Sequence, residues 1–149
     1  MISVRHIGLT VQDLELCVSF YELLGFSIEK KMFESGKCID NFSSLEGVSV
    51  TSAKLRDENN SSVMLELLQY HSHTSGNDIG QNSRRPICDI GYSHFAISVD
   101  NLDDLYRKLS LLGTEFNCPP QTSPDGNVKI TFCRDPEGNL IELVEDLNV

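Results

Sequence analysis

The chain has 149 residues, of which 40% are hydrophobic and 23% charged, enough apolar material for one compact domain or for two half-size modules and too much for a disordered chain. Twelve Lys and Arg against 22 Asp and Glu leave a formal net charge of −10, which argues against a nucleic-acid partner or an anionic membrane surface, because clustered positive charge holds both. The opening MISVRHIGLT has no basic segment leading into a long apolar one, and no apolar run approaches the ~18 residues of a membrane span, so a soluble, cytoplasmic protein is expected.

In chain order, a short alternating strand begins at His6, and a helix is predicted from Asp13 to Leu24 with Leu14, Cys17, Val18, Tyr21 and Leu24 along one stripe and Gly25 as its stop. Strand-like stretches follow around Phe26 to Phe33, Val48 to Leu55 and Val63 to Tyr70, with a mobile loop expected from Gly36 to Gly47. The stretch His71 to Gly91 is rich in Ser, Asn, Gly and charge and reads as a linker. A second strand begins at His94, and a second helix puts Leu102, Leu105, Tyr106, Leu109 and Leu112 on one stripe, with Asp103 and Asp104 in its first turn and Gly113 at its end. Strands around Val128 to Cys133 and Leu140 to Val144 are joined by DPEGN, a turn sequence for an antiparallel pair. The DNxDD run from Asp100 reads as a helix start, not as a calcium loop.

The two halves superimpose as text. HIGLTVQDLELCVSFYELLGF from His6 and HFAISVDNLDDLYRKLSLLG from His94 cover the same distance from histidine to glycine, and each passes through Asp13 or Asn101 into its helix. The repeat divides the chain into a first module, 1–72, a linker, 73–91, and a second module, 92–149, each reading strand, helix, then about three strands.

Alternation then places the polar residues. Val4, His6, Gly8 and Thr10 share one face of the first strand, and Tyr92, His94, Ala96 and Ser98 share one face of its counterpart, so both histidines look away from the helix with small residues beside them. Glu66 in VMLELLQY and Glu142 in NLIELVED lie mid-strand in apolar stretches that look buried on both sides. A lone carboxylate there costs several kcal/mol, on the order of a buried polar group, unless it is protonated or meets a cation. No Lys or Arg recurs in both halves to supply one. A divalent metal held by His6, Glu66, His94 and Glu142 would neutralise both carboxylates and use both imidazoles, and two nitrogens with two oxygens suit Ni, Zn, Co, Fe or Mn better than Ca or Mg. Taken singly, a strand-borne His is usually a satisfied core or surface residue and a Glu can sit at an exposed edge. The return of the same residue types at the same places favours the metal.

These motifs resemble the glyoxalase, bleomycin-resistance and extradiol-dioxygenase superfamily, also called the vicinal oxygen chelate fold, through HIGLTVQDLELCVSFYELLGF, GYSHFAISVDNLDDLYRKL and DPEGNLIELVE. The resemblance implies an α+β fold in which two paired βαβββ modules form an open barrel-like mixed sheet around one divalent ion. Its metal positions carry over as His6, Glu66, His94 and Glu142, in the order found in bacterial glyoxalase I; methylmalonyl-CoA epimerases are similar. It also implies a metal-dependent lyase or isomerase that removes a proton beside a chelated carbonyl through an enediolate or enolate, with Glu142 as base and Glu66 as the opposite-side candidate. A homodimer acting on a small molecule is implied as well.

The same resemblance sets limits on the substrate. An arginine that grips glutathione in glyoxalase I would fall at Thr10, and an amide serving glutathione would fall near Tyr70. Epimerases of the CoA type usually lack the DPEG turn seen at Asp135 to Gly138. Two other functions remain: an Fe(II) dioxygenase using two histidines and one glutamate, and a metal-free drug-binding resistance protein, whose members need no ligand quartet.

The remaining signals are plainer. His71 and His73 form an HxH pair in a Ser- and Gly-rich setting and read as solvated rather than as a second metal site. Arg84 and Arg85 either hold the carboxylate or phosphate of a substrate tail or simply solvate the linker. Cys17, Cys38, Cys88, Cys118 and Cys133 are odd in number and lack CxxC spacing, which predicts reduced, mostly buried thiols, with Cys133 a packing residue.

Overall fold

The computed structural model describes residues 2–59, 61–73 and 86–148, and the chain divides into two compact units, Met1–Asn77 and Asp78–Val149. Arg84 and Arg85 lie outside the described residues.

The first unit runs β1 (His6–Thr10), α1 (Leu14–Leu23), β2 (Ser27–Ser35), α2 (Lys37–Ser43), β3 (Ser49–Arg56) and β4 (Met64–Tyr70). Its sheet has the order β1-β4-β3-β2, with β1 parallel to β4 and the other neighbours antiparallel. The parallel pair requires a long crossover between β1 and β4, which α1, β2 and β3 provide. Leu9, Leu65, Leu67 and Leu55 are buried on one sheet face, and α1 buries Leu14, Cys17, Val18 and Tyr21. Each such apolar side chain contributes about 1.5–3 kcal/mol on leaving water. Phe20 is also buried, whereas Leu24, at the cap of α1, is only half-buried.

The second unit repeats the plan with β5 (His94–Ser98), α3 (Leu102–Leu111), β6 (Gln121–Thr122), β7 (Val128–Arg134) and β8 (Leu140–Asp146). The strand order is β5-β8-β7-β6, again with one parallel pair, β5 and β8. Neither sheet closes on itself. Leu102 and Leu109 carry the burial of α3, while Leu112, at its cap, is 61% exposed.

Both helices are tied at the same points. Asp13 and Asn101 accept the backbone N–H of Leu16 and Asp104, as N-caps do. Each helix also receives a long-range cap from the last strand of its unit: the Gln69 side-chain oxygen accepts from Leu14 N at 3.1 Å, and a Glu145 carboxylate oxygen accepts from Leu102 N at 2.9 Å. Gly25 and Gly113, at φ 91° and 86°, close the helices. Phe26 N and Thr114 N donate back to the carbonyls of Tyr21 and Leu109.

The segment expected to be a mobile loop, Gly36 to Gly47, contains α2. It buries no residue, so no apolar periodicity marks it in the sequence. Its order comes from the Asp40 carboxylate, which accepts from Gly47 N at 3.0 Å and Val48 N at 2.8 Å and ties the helix to the start of β3. The DPEGN turn forms as expected, with Gly138 N donating to Asp135 O and the Asp135 carboxylate accepting from the N–H groups of Glu137 and Asn139. The cysteines are less buried than expected: Cys17 and Cys133 are in the core, but Cys38, Cys88 and Cys118 are exposed. The latter three lie outside the regular apolar stripes that set burial.

Candidate metal centre

Strand register brings one histidine to one glutamate in each unit. Along β1 and β4 the register pairs His6 with Met64 and Gly8 with Glu66, so His6 and Glu66 are diagonal neighbours on one face. Along β5 and β8 it pairs His94 with Leu140 and Ala96 with Glu142, the same relation. His6 Nε2 lies 3.2 Å from a Glu66 carboxylate oxygen, and His94 Nε2 lies 3.3 Å from a Glu142 carboxylate oxygen. Gly8 and Ala96 keep the space beside each imidazole low; a Cβ on Gly8 would come 3.5 Å from the Leu68 side chain, an ordinary contact. The glutamates are half-buried rather than enclosed on both sides, with 12% and 21% of their side-chain surface exposed.

The pair distances suit metal ligation. Two donors about 2.1 Å from one ion, at angles between octahedral and tetrahedral, stand roughly 3.0–3.4 Å apart. Each unit therefore supplies one nitrogen and one oxygen in a geometry that a divalent ion can bridge. Among the described residues no group of three or more His, Cys, Asp or Glu side chains forms such a cluster. The four sequence-selected residues are thus placed as two pairs, one per unit.

The surroundings of the two pairs differ. Ser93 Oγ lies 2.9 Å from His94 Nδ1, and the Phe132 ring meets the His94 ring edge-on at 5.0 Å. A partner at Nδ1 leaves Nε2 facing the carboxylate, the arrangement that fixes a ligating imidazole. In the first unit, Lys54 on β3 stands opposite Glu66 in register, and its Nζ is 3.7 Å from the second Glu66 oxygen. The corresponding place opposite Glu142 is Phe132. The requirement for a recurring cation therefore missed Lys54, a cation that serves one half only. Its signal in the sequence is the alternation of SAKLR, which puts Lys54 with Ser52 on the face away from Ala53 and Leu55.

Ser52 is 1% exposed and its hydroxyl is without a hydrogen-bond partner among the described residues. Cys133 is fully buried in register with Ile141, on the opposite face of β7 from Phe132. Burial, reinforced by the Asp135 charge, pushes its thiol from 9.0 up to about 12. A thiol held protonated in this way packs and does not attack. His71 Nε2 meets the Thr51 hydroxyl at 2.8 Å, and His73 Nδ1 meets that of Ser72 at 3.1 Å, so both imidazoles of the HxH pair have surface hydroxyl neighbours.

Comparison with known proteins follows the same lines. The sequence matches the family model of the Glyoxalase/Bleomycin resistance protein/Dioxygenase superfamily over residues 3–143. Curated proteins yield no match. Among solved structures, a glyoxalase family protein from Bacillus cereus is similar at a TM-score of 0.88 and 21% identity, covering 99% of this chain and 96% of the other. The trypanothione-dependent glyoxalase I of Leishmania major is similar at 0.65 and 24% identity, covering 97% and 87%. A glyoxalase family protein from Enterococcus faecalis is similar at 0.63 and 20% identity, covering 96% and 97%. At these identities the likeness concerns the fold.

Proposed function

From the premise that this chain belongs to the glyoxalase/bleomycin resistance protein/dioxygenase superfamily, we propose that it is a metal-dependent lyase or isomerase of the glyoxalase I type. In this reading, modules 1–72 and 92–149, joined by 73–91, work as one domain. His6, Glu66, His94 and Glu142 hold one divalent ion, Ni, Zn, Co, Fe or Mn. The observation that carries the reading is the repeated His Nε2 to Glu oxygen approach, 3.2 and 3.3 Å, at the same register in both units. The two pairs complete a four-ligand set when modules pair, within one chain or across a homodimer.

A divalent ion held there would supply positive charge to the paired oxygens of an α-oxygenated carbonyl substrate and to the negative charge that develops on them. The chain's residues do the rest. His6 and His94 present their Nε2 atoms. Glu142 takes the proton from the carbon beside the carbonyl; with a hemithioacetal the proton returns to the neighbouring carbon, and with a CoA thioester it returns to the opposite face of the same carbon, so that the product is an isomer of the bound substrate and no external reductant or oxidant is consumed. The substrate is a small molecule met in the cytoplasm, either a thiol adduct such as the methylglyoxal–glutathione hemithioacetal or a CoA thioester such as methylmalonyl-CoA.

The test begins with metal analysis of the purified protein and continues with both substrates. Stoichiometric metal and turnover of one substrate are expected, with His6→Ala and His94→Ala losing the metal. Glu142→Gln is expected to retain metal and lose about 10²–10⁴ in kcat, the usual contribution of a positioned general base. An active Glu142→Gln variant overturns the assignment of the base, and protein that takes up no divalent ion overturns the reading as a whole. Oxygen uptake with a catechol in place of isomerisation would instead favour an Fe(II) dioxygenase.

A further inference from the structure

The two carboxylates occupy equivalent places in a duplicated design, yet among the described residues only Glu66 has a lysine or arginine beside it. Glu66 lies between two groups: one oxygen is 3.2 Å from His6 Nε2 and the other is 3.7 Å from Lys54 Nζ. Lys54 is in register with Glu66 across β3 and β4 and three-quarters buried, so its ammonium has little freedom to wander from that position. Glu142 has His94 at one oxygen, and the place corresponding to Lys54 is filled by Phe132, an aromatic side chain that contacts the imidazole instead. Among the described residues no cation pairs with Glu142.

Resting on the metal reading above, we infer that Lys54 is a positioning residue that pins one oxygen of Glu66, so that Glu66 is the fixed, single-oxygen ligand and Glu142 is the carboxylate free to leave the ion. An ammonium on one carboxylate oxygen favours the rotamer that keeps the other oxygen toward His6 and opposes rotation of the carboxylate into two-oxygen chelation. Phe132 offers Glu142 no such hold. The inequality of the two glutamates then follows from a single difference in residue at equivalent register positions, Lys54 on β3 and Phe132 on β7, and from nothing in the glutamates themselves.

The experiment uses the full-length protein loaded with Co²⁺, whose visible absorption reports coordination number. Wild type, Lys54→Met, Lys54→Gln and Lys54→Arg are compared, with circular dichroism confirming that each folds. Both neutral variants are expected to lose band intensity as Glu66 turns to offer its second oxygen and the coordination number rises, and Lys54→Arg is expected to keep the wild-type spectrum. Unchanged spectra in the neutral variants overturn the pinning role while leaving the metal reading intact. A wild-type protein that shows no Co²⁺ spectrum overturns the metal reading and the role of Lys54 together. If one neutral variant fails to fold, the other carries the comparison.

Discussion

The imidazole of His94 touches three kinds of group: a hydroxyl at Nδ1, a carboxylate near Nε2 and an aromatic edge. Outer partners of ligating histidines typically govern metal affinity by 10–100-fold. Ser93→Ala is therefore expected to weaken metal binding by about that factor while leaving the unfolding midpoint of the metal-free protein close to wild type, as read by metal titration and thermal melts. Cys133 gives a second residue-scale prediction. Below about pH 9 folded and unfolded forms both carry its proton; between about 9 and 12 only the folded form keeps it, so its contribution to stability is lost as pH rises through that window. Alkaline unfolding curves of wild type and Cys133→Ala should converge across that range, and at pH 8 a thiol reagent should label Cys38, Cys88 and Cys118 but spare Cys133.

At the scale of elements, the repeat is enforced by bonds that span the chain. Glu145 caps α3 from 43 residues away and Gln69 caps α1 from 55 residues away, which joins each helix to the strand bearing its unit's glutamate. Glu145→Gln should be nearly neutral, because an amide oxygen serves as Gln69 already does, whereas Glu145→Leu should cost about 1–2 kcal/mol in urea unfolding by leaving the Leu102 N–H unpaired. Asn101→Ala should cost about 1 kcal/mol by the same measurement, as the loss of an N-cap does. The strands other than the two-residue, exposed β6, both long helices and the DPEGN turn were legible because apolar periodicity, capping residues and turn glycines are local signals. α2 was not legible, since its order comes from Asp40 reaching the N–H groups of Gly47 and Val48, not from an apolar stripe.

For the whole molecule, the two units carry the same strand order and the same His–Glu register. If the ligand pairs are completed across a homodimer, sedimentation velocity should give twice the 16.6 kDa chain mass, and metal removal should shift the protein toward monomer. If they are completed within a chain, metal removal should lower the melting temperature without changing the sedimenting mass. No helix among the described residues is long and apolar enough to cross a membrane.

The sequence by itself determined the duplication, the α+β class and the residues worth watching, because alternation and helical period are properties of neighbours along the chain and the repeat doubles every such signal. It could not decide that Lys54 would face Glu66 while Phe132 faced Glu142, nor that Gln69 and Glu145 would reach back to cap the helices. Those contacts depend on which residue of one strand stands opposite which residue of another, a register set by the packing of each sheet against its helix. A one-residue slip would turn each of these side chains to the other face.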